Sequence, residues 1–419
     1  ILNTLDLHSQ NSVEGFNPVI RGGVSIGLMD FQNNGKIILG SGDLKIASGT
    51  SINGVARLNL DGSIDKAFNF EASIEGGLIC DLIVQSDDKI IIGGQNMFDE
   101  FSNTPIARFN PDGSIDSSFS VNISTSGIVR CVPVANDKLV IAHFSNTSDI
   151  SSLIRINSDG SLDDTFDSGL GFDSGFGIEI FDIVAQDNGK IIIVGDFSSF
   201  DGQEVGNIVR LNEDGSIDNS FNVGSGPSDS GFPSIYSISL QSDGKIVLGG
   251  NFDSFNGIAT NNLIRLNPSG SVDTNFIISG AVFNTFGSSS ITEVEVLFDN
   301  DILIGNSYDL ISLNNDGSFK NSFKPGIINR EKTVGLSKPI VIKQSDVGNL
   351  YIGGSFSEYN NNFRIGILEL DEFGNVTDFD PQLGGIPYIK AIRVQDDGKN
   401  LIGGDFIAVN DLIENNLAS

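Results

Sequence analysis

Residues 57–68 read "RLNLDGSIDKAF", and this stretch decides the fold because it does not stand alone. It returns as "RFNPDGSIDSSF" from Arg108, "RINSDGSLDDTF" from Arg155, "RLNEDGSIDNSF" from Arg210 and "RLNPSGSVDTNF" from Arg265. An arginine, a glycine turn and an aspartate at fixed offsets form a repeat, and a repeat has to be read before any local motif.

A second motif alternates with the first. It runs "NNGKIILG" at Asn33, "SDDKIIIGG" at Ser86, "NDKLVIAHF" at Asn136, "DNGKIIIVGDF" at Asp187, "SDGKIVLGGNF" at Ser242, "FDNDILIGN" at Phe298, "DVGNLYIGGSF" at Asp346 and "DDGKNLIGGDF" at Asp396. These define eight units. Asn3, Asn59, Asn110, Asn157, Asn212, Asn267, Asn314 and Asp371 stand in equivalent places, and the 47 to 57 residues between them match propeller-blade periods.

Within a unit, "IYSISL" (235–240) alternates as a strand and "QSDG" turns into "KIVLGG" (245–250). "NLIRLN" (262–267) follows, and "PSG" turns into a short fourth strand, "SVDTNF" (271–276). One such sheet cannot bury both faces, so neighbours must cover it, and radial packing does this while leaving only short edges. Residues 403–419 align without a gap on 249–265, so Leu2 and Asn3 continue the motif that Ser419 breaks off. The expectation is an all-β fold: residues 1–419 as one closed β-propeller of eight four-stranded blades, one blade completed by both termini. A seven-bladed ring with one unit displaced and an open solenoid are the alternatives.

Composition agrees. Fifty glycines, thirty phenylalanines, no tryptophan and two histidines fit many short strands and tight turns, and no apolar run approaches the length of a membrane span. The first residues, "ILNTLDLHSQ", lack the pattern of a secretion signal, and a soluble chain is expected. A net charge of −30, from 54 acidic and 24 basic residues, repels phosphate backbones and anionic lipid, so neither nucleic acid nor membrane insertion is expected. Cys80 and Cys131 are too few for a disulfide framework and read as buried thiols, with a bridge between neighbouring units as the alternative.

Five units pair an arginine with an aspartate eight residues later: Arg57 with Asp65, Arg108 with Asp116, Arg155 with Asp163, Arg210 with Asp218, and Arg265 with Asp273. The sixth unit has Ser312 and Lys320 in their places, the seventh Glu369 and Thr377. Joint loss of both members predicts a direct, structural ion pair across the turn, since a lone buried charge is costly. Gly62, Gly113, Gly160, Gly215 and Gly270 supply the positive φ of that turn. Phe68, Phe119, Phe166, Phe221, Phe276, Phe323 and Phe379 fall at one position per unit and read as packing between blades. Asn59, Asp61, Ser63 and Asp65 alternate oxygen ligands in the manner of a calcium loop but lack its closing glutamate, so no cofactor is expected.

The string "VQSDDKIIIGG" followed by "ARFNPDGSIDSSF" resembles the delta-60 repeat family. The resemblance covers nearly the whole chain; units six and seven depart from it at the Arg and Asp positions, and His143 stands where other units have glycine. It implies β-propeller blades, an extracellular or bacterial-surface protein or one from a phage virion, and no assigned catalytic residues.

Nothing in the sequence points to an enzyme. His8 and His143 lie in no metal or acid–base motif, Cys80 and Cys131 lack C-x-x-C spacing, and "GGDF" at Gly403 is the eighth copy of "GGNF" rather than a cyclase signature. A glycoside hydrolase built on paired carboxylates is the weakest alternative. The turns "QSDG" and "NPDG" mark one uniform face. The variable connections mark the other: "SGLGFDSGFGI" (168–178), "GSGPSDSGFP" (224–233) and "SGAVFNTFGSSS" (279–290). Loops on a rigid scaffold are where recognition sits, so Phe172, Phe176, Phe232, Phe283 and Phe286 are the candidate contacts for a protein or glycan partner. The expected function is a non-catalytic surface binding or adhesion module, attached to or assembled with other domains. A structural part of a phage tail, baseplate or fibre is the alternative.

Overall fold

The computed structural model describes residues 20–21, 28–40, 54–72, 78–95, 105–123, 125–145, 151–173, 178–229, 231–260, 262–278, 290–306, 309–329, 340–345, 348–354, 356, 358–380, 388–394, 400–405, 408–409, 412–413 and 417–418. These are strands and turns, with a single 3-10 turn at Ala135–Asp137. Leu2 and Asn3, expected to complete a blade, lie outside the described residues, as does His8.

Each unit contributes three antiparallel strands in chain order, and in unit 6 the sheet runs on through Gly326–Asn329 to the hairpin Glu358–Tyr359 and Asn362–Phe363. Unit 1 is Leu28–Phe31, Ile37–Gly40 and Val55–Leu58; unit 2 is Leu78–Val84, Ile90–Gln95 and Ile106–Phe109. Unit 3 is Thr125–Val134, Lys138–Ser145 and Ser151–Ile156; unit 4 is Glu179–Ala185, Ile191–Asp196 and Ile208–Leu211. Unit 5 is Ser234–Leu240, Ile246–Asn251 and Leu263–Leu266, and unit 6 is Glu293–Val296, Ile302–Gly305 and Asp309–Leu313. Unit 7 is Ile340–Gln344, Leu350–Gly354 and Ile367–Leu370, and unit 8 is Tyr388–Val394, Asn400–Asp405 and Leu417–Ala418.

The expected fourth strand is reduced to a single bridge. Ile217 bridges Leu211 in unit 4, and the same bridge recurs in the other units from Leu58–Ile64 to Leu370–Val376. The cause is the aspartate. The Asp218 amide donates to the Arg210 carbonyl, but the Ser220 amide then donates to Asp218 Oδ1 and the Phe221 amide to the Asp218 carbonyl, which turns the chain out of the sheet. Gly215, with φ at 93°, makes the preceding turn, and a Cβ there would stand 2.6 Å from the Asp167 carbonyl of unit 3. Both requirements select glycine.

The second strand is central in its own sheet and covered on both faces by neighbours. Ile191, Ile192, Ile193 and Val194 are all 0–1% exposed, which explains an unbroken apolar run rather than an alternating one. Each such side chain contributes about 1.5–3 kcal/mol by leaving water.

Among the described residues, seven apolar cores lie between sheets. Ile38 and Val55 of unit 1 pack with Leu82 and Ile90 of unit 2, and further cores join units 2 and 3, 3 and 4, 4 and 5, 5 and 6, and 6 and 7. The seventh joins Met29, Leu39 and Leu58 of unit 1 directly to Val341, Tyr351 and Ile367 of unit 7. Unit 8 was expected between units 7 and 1 and does not separate them. Repeat phase records the order of units along the chain, whereas the partner of unit 1 is set by which apolar face covers it.

Small sheets tie the connections down. Phe172–Asp173 pairs with Ser199–Phe200, and Pro227–Ser228 with Ser254–Phe255, each time joining a connection to the hairpin of the unit that follows. Ile20–Arg21 pairs instead with Ala408–Val409 in the hairpin of unit 8, so chain near residue 20 meets chain near residue 409.

Candidate functional site

The repeated arginine is the hub of a five-part cluster. In unit 4, Arg210 Nε lies 2.7 Å from Asp218 Oδ2, and its Nη1 donates at 2.5 Å to the Pro268 carbonyl in the turn of unit 5. The guanidinium carbon sits 4.4 Å from the centre of the Phe221 ring, and Lys190 reaches the same aspartate oxygen at 2.7 Å. The same closures recur at Arg57–Asp65 (2.8 Å), Arg108–Asp116 (2.7 Å), Arg155–Asp163 (2.6 Å) and Arg265–Asp273 (2.9 Å). Each arginine also donates to a carbonyl of the next unit: Pro111, Ser158, Glu213 and Asn315 in turn. Both members of every pair are buried.

Sequence reasoning placed the pair but missed three of its functions. The lysine that follows the "DG" turn completes the charge balance, the arginine fork spans two units, and the phenylalanine, read only as packing, is also the face on which the guanidinium lies. The regular lysine just before the apolar run of the second motif, at Lys36, Lys89, Lys138, Lys190 and Lys245, was the available signal. Lys36, 2.5 Å from Asp65, is the foremost cause holding that carboxyl down to about 2, with Arg57 assisting against the cost of burial.

Units 6 and 7 fill the same three places differently. In unit 6, Lys320 stands where the aspartate was and Asp301 where the lysine was, and they meet at 2.7 Å. In unit 7, Glu369 replaces the arginine and accepts from Tyr351 Oη and Thr377 Oγ1, each at 2.5 Å, and from Asn349 Nδ2 at 2.7 Å. The oxygens that alternate in the manner of a calcium loop hydrogen-bond within their own turn. The Ser63 amide and hydroxyl donate to Asp61 Oδ1 at 2.9 and 2.6 Å, and Asn59 Nδ2 donates to Ser63 Oγ at 2.9 Å.

On the variable edge the five candidate phenylalanines part company. Phe172 is fully buried, with Phe197 and Phe200 rings 4.7 Å from its own. It is core, because pairing of Phe172–Asp173 with the unit 4 hairpin turns the ring inward, and it cannot serve as an exposed contact. Phe232 is 86% exposed. Phe176, Phe283 and Phe286 lie outside the described residues. Leu170, on the connection before unit 4, is 75% exposed and was not anticipated. Cys80 is half-buried and Cys131 buried; His143 sits in the second strand of unit 3, opposite Ser152.

Beside Leu170 lies a cleft of about 500 Å³ whose lining includes Thr165, Asp167, Asp201, Gln203, Asp214 and Asn219. The corresponding places one unit on are Asn222, Asn256 and Ser269 where the cleft has Asp167, Asp201 and Asp214. Asp167 Oδ1 accepts from the Gly169 amide and Asp201 Oδ1 from the Leu170 amide; Asn222 and Asn256 accept from the Gly224 and Gly226 amides in the same way. The turns need an oxygen there and no charge, so the carboxylate charge of the cleft exceeds what the loops require.

Five segments, residues 32–68, 85–119, 135–166, 186–221 and 241–276, match the model of a family described as "Domain of unknown function (DUF5122) beta-propeller". The likeness of these five segments is to β-propeller repeats. A search of curated proteins gave no match. Among solved structures, puromycin hydrolase is 11% identical with a TM-score of 0.50, over 93% of this chain and 59% of its own. Virginiamycin B lyase from Staphylococcus aureus is 12% identical with a TM-score of 0.49, over 82% and 97% of the two chains. The Dos1 propeller is 13% identical with a TM-score of 0.47, over 92% of each. At such identities the likeness is one of fold, and propeller folds carry many functions.

The units also place charge where sequence reasoning did not look, on their first strands. Asp30, Asp81, Arg130, Asp182, Glu293, Glu295 and Lys343 interrupt apolar strands of six units. Asp30, Asp81 and Asp182 each accept a backbone amide from the first strand of a following unit: Val84 at 2.7 Å, Cys131 at 2.6 Å and Ile238 at 3.1 Å. Arg130 donates to the Phe181 and Cys80 carbonyls on either side, both at 2.9 Å. Burial pushes the Asp30 and Asp81 carboxyls above their ordinary value. The signal was in the sequence as "LMDF", "ICDLIV", "IFDIVA" and "VIKQ": single charges inside strands whose other residues are apolar.

Proposed function

We propose that units 1–7 close into one ring and that this ring is a non-catalytic binding module working outside the cell, which takes up a protein or glycan partner on its variable edge. The direct core between units 1 and 7 supports closure at seven units, with unit 8 joined through its hairpin to the connection entering unit 1. The observation that carries the binding reading is the break in repetition between units 3 and 5. A polar cleft of about 500 Å³ holds Asp167 and Asp201 where the next unit has Asn222 and Asn256, beside the repeated Asp214, and exposed Leu170 and Phe232 stand on the two connections around unit 4. Carboxylates beside isolated apolar side chains suit a partner that offers basic or hydroxyl donors next to an apolar face.

The test is binding of the purified chain to a glycan array and to immobilised bacterial surface proteins, repeated with Asp167→Asn/Asp201→Asn. That substitution keeps both turns capped. Binding at least tenfold weaker in the variant, with unfolding unchanged, is the expected result. Equal binding by the variant, or turnover of aryl glycosides by the wild type, would overturn it.

A further inference from the structure

The seams between units are not all fastened alike. Arginines of units 1 to 5 each reach a carbonyl of the next unit, which fastens the five seams from 1–2 to 5–6. Ser312 and Glu369 stand in the arginine places of units 6 and 7, so seams 6–7 and 7–1 have no such crosslink.

Those two seams meet at Lys343, on the first strand of unit 7. Lys343 pairs with Tyr351, Glu295 with Leu303 and Asp30 with Ile38. In each case the partner is two residues before the glycine of the second strand, so the three charges occupy one step of the first strand in units 7, 6 and 1. Glu295 and Asp30 therefore flank Lys343 from its two neighbours, and both act electrostatically on it. Glu293 and Asp182 act on it as well, which puts strands from units 1, 4, 6 and 7 around one centre. The strand on the other side of Glu295, in unit 5, brings Ser237 and Ser239, whose hydroxyls accept the Val294 and Val296 amides and carry no charge.

We propose that Lys343 with Glu295 and Asp30 is a proton-operated latch that holds the two unstapled seams of the ring closed in mild acid and loosens them as the pH rises past neutrality. The inference rests on the ring closure argued above. Its sign follows from Glu295. Burial first, then the carboxylates of Glu293, Asp182 and Asp30, raise its carboxyl from 4.5 to about 7 against the pull of Lys343. A carboxyl raised by folding binds its proton more tightly when folded. Its contribution is complete below 4.5 and lost as the pH climbs through about 7. Lys343, raised above its ordinary value by Glu295 foremost, stays charged throughout. Ionising Glu295 adds a negative charge where the carboxyl groups of Asp30, Asp81, Asp182 and Glu293 already surround Lys343 and Arg130. The seams able to yield are the two without an arginine crosslink.

Hydrogen exchange of the intact chain, followed peptide by peptide at pH 5 and pH 8 and corrected for intrinsic rates, tests this. Peptides covering residues 28–31, 293–296 and 340–344 should exchange about tenfold faster at pH 8, while the first strands of units 2 to 4 stay unchanged. In Glu295→Gln the pH 5 and pH 8 patterns should coincide. A pH response that is absent, or spread evenly over all units, or retained in Glu295→Gln, overturns the latch. Should that variant not fold, the wild-type comparison decides by itself. Fast exchange of the three peptides at both pH values would instead indicate an open ring and overturn the closure as well.

Discussion

Lys320 Nζ lies 2.7 Å from Asp301 Oδ2, with the charges exchanged relative to Asp218 and Lys190 in unit 4, which also meet at 2.7 Å. The contact is kept while the residues trade places, so complementarity between the start of the second strand and the bend after the third is what the fold requires. Asp301→Lys should therefore cost about 1–2 kcal/mol by setting two cations together, and Asp301→Lys/Lys320→Asp should recover most of the loss. Urea unfolding of the four members of this cycle measures it. Additive losses would mean that the two side chains do not act on each other.

The arginine crosslink makes a separate prediction. Lysine in place of Arg210 keeps the charge near Asp218 but loses the fork that reaches the Pro268 carbonyl and the planar group lying on Phe221. Arg210→Lys should cost about 1 kcal/mol or more and Arg210→Ala about 1–3 kcal/mol, with Arg210→Ala/Asp218→Ala costing less than the sum of its singles. Retention of full stability in Arg210→Lys would show that charge alone fastens the seam.

Acid should undo these clusters from one side only. Asp65 titrates at about 2 in the folded chain against 3.8 for the free side chain, chiefly through Lys36. A lowered carboxyl supplies stability that is present above 3.8 and lost as the pH falls toward the folded value. Asp116, Asp163, Asp218 and Asp273 are lowered too. Thermal unfolding followed from pH 5 to pH 2 should show a steep loss below about pH 4, shallower in Asp65→Asn. An equally steep limb in that variant would assign the acid loss to other groups.

The repeat was legible because architecture writes itself several times. Five copies of the Arg–Asp string fixed the period, and the apolar run of "KIIIVG" marked a strand covered on both sides. The partner of unit 1 was not legible, since phase counts units without saying that Met29 and Leu39 share a core with Val341 and Ile367. Nor did the repeats reveal the charges on the first strands, because Asp30, Glu295 and Lys343 differ from unit to unit and repetition filters out what varies. Phe172 misled for a related reason. A connection between units looks exposed until two of its residues pair with a hairpin and turn the ring into the core.

Phe172 and Phe232 were read alike from sequence and should now behave oppositely. Phe172 is fully enclosed by Phe197 and Phe200, so Phe172→Ala removes a buried ring and leaves a cavity, at a cost of about 3–5 kcal/mol. Phe232, 86% exposed, gives up almost no burial in Phe232→Ser, and unfolding should stay within about 0.5 kcal/mol of wild type. A partner seated on the variable edge would bury that ring, and exposed aromatics at the centre of an interface commonly carry about 2 kcal/mol or more, near thirtyfold in affinity. Affinity for a partner captured on the array and the urea midpoint are measured on the same preparations. Weaker binding at unchanged stability in Phe232→Ser places the contact on the connection entering unit 5. Unchanged affinity would move it away from that connection and leave the cleft at Asp167 and Asp201 as the surface to alter next.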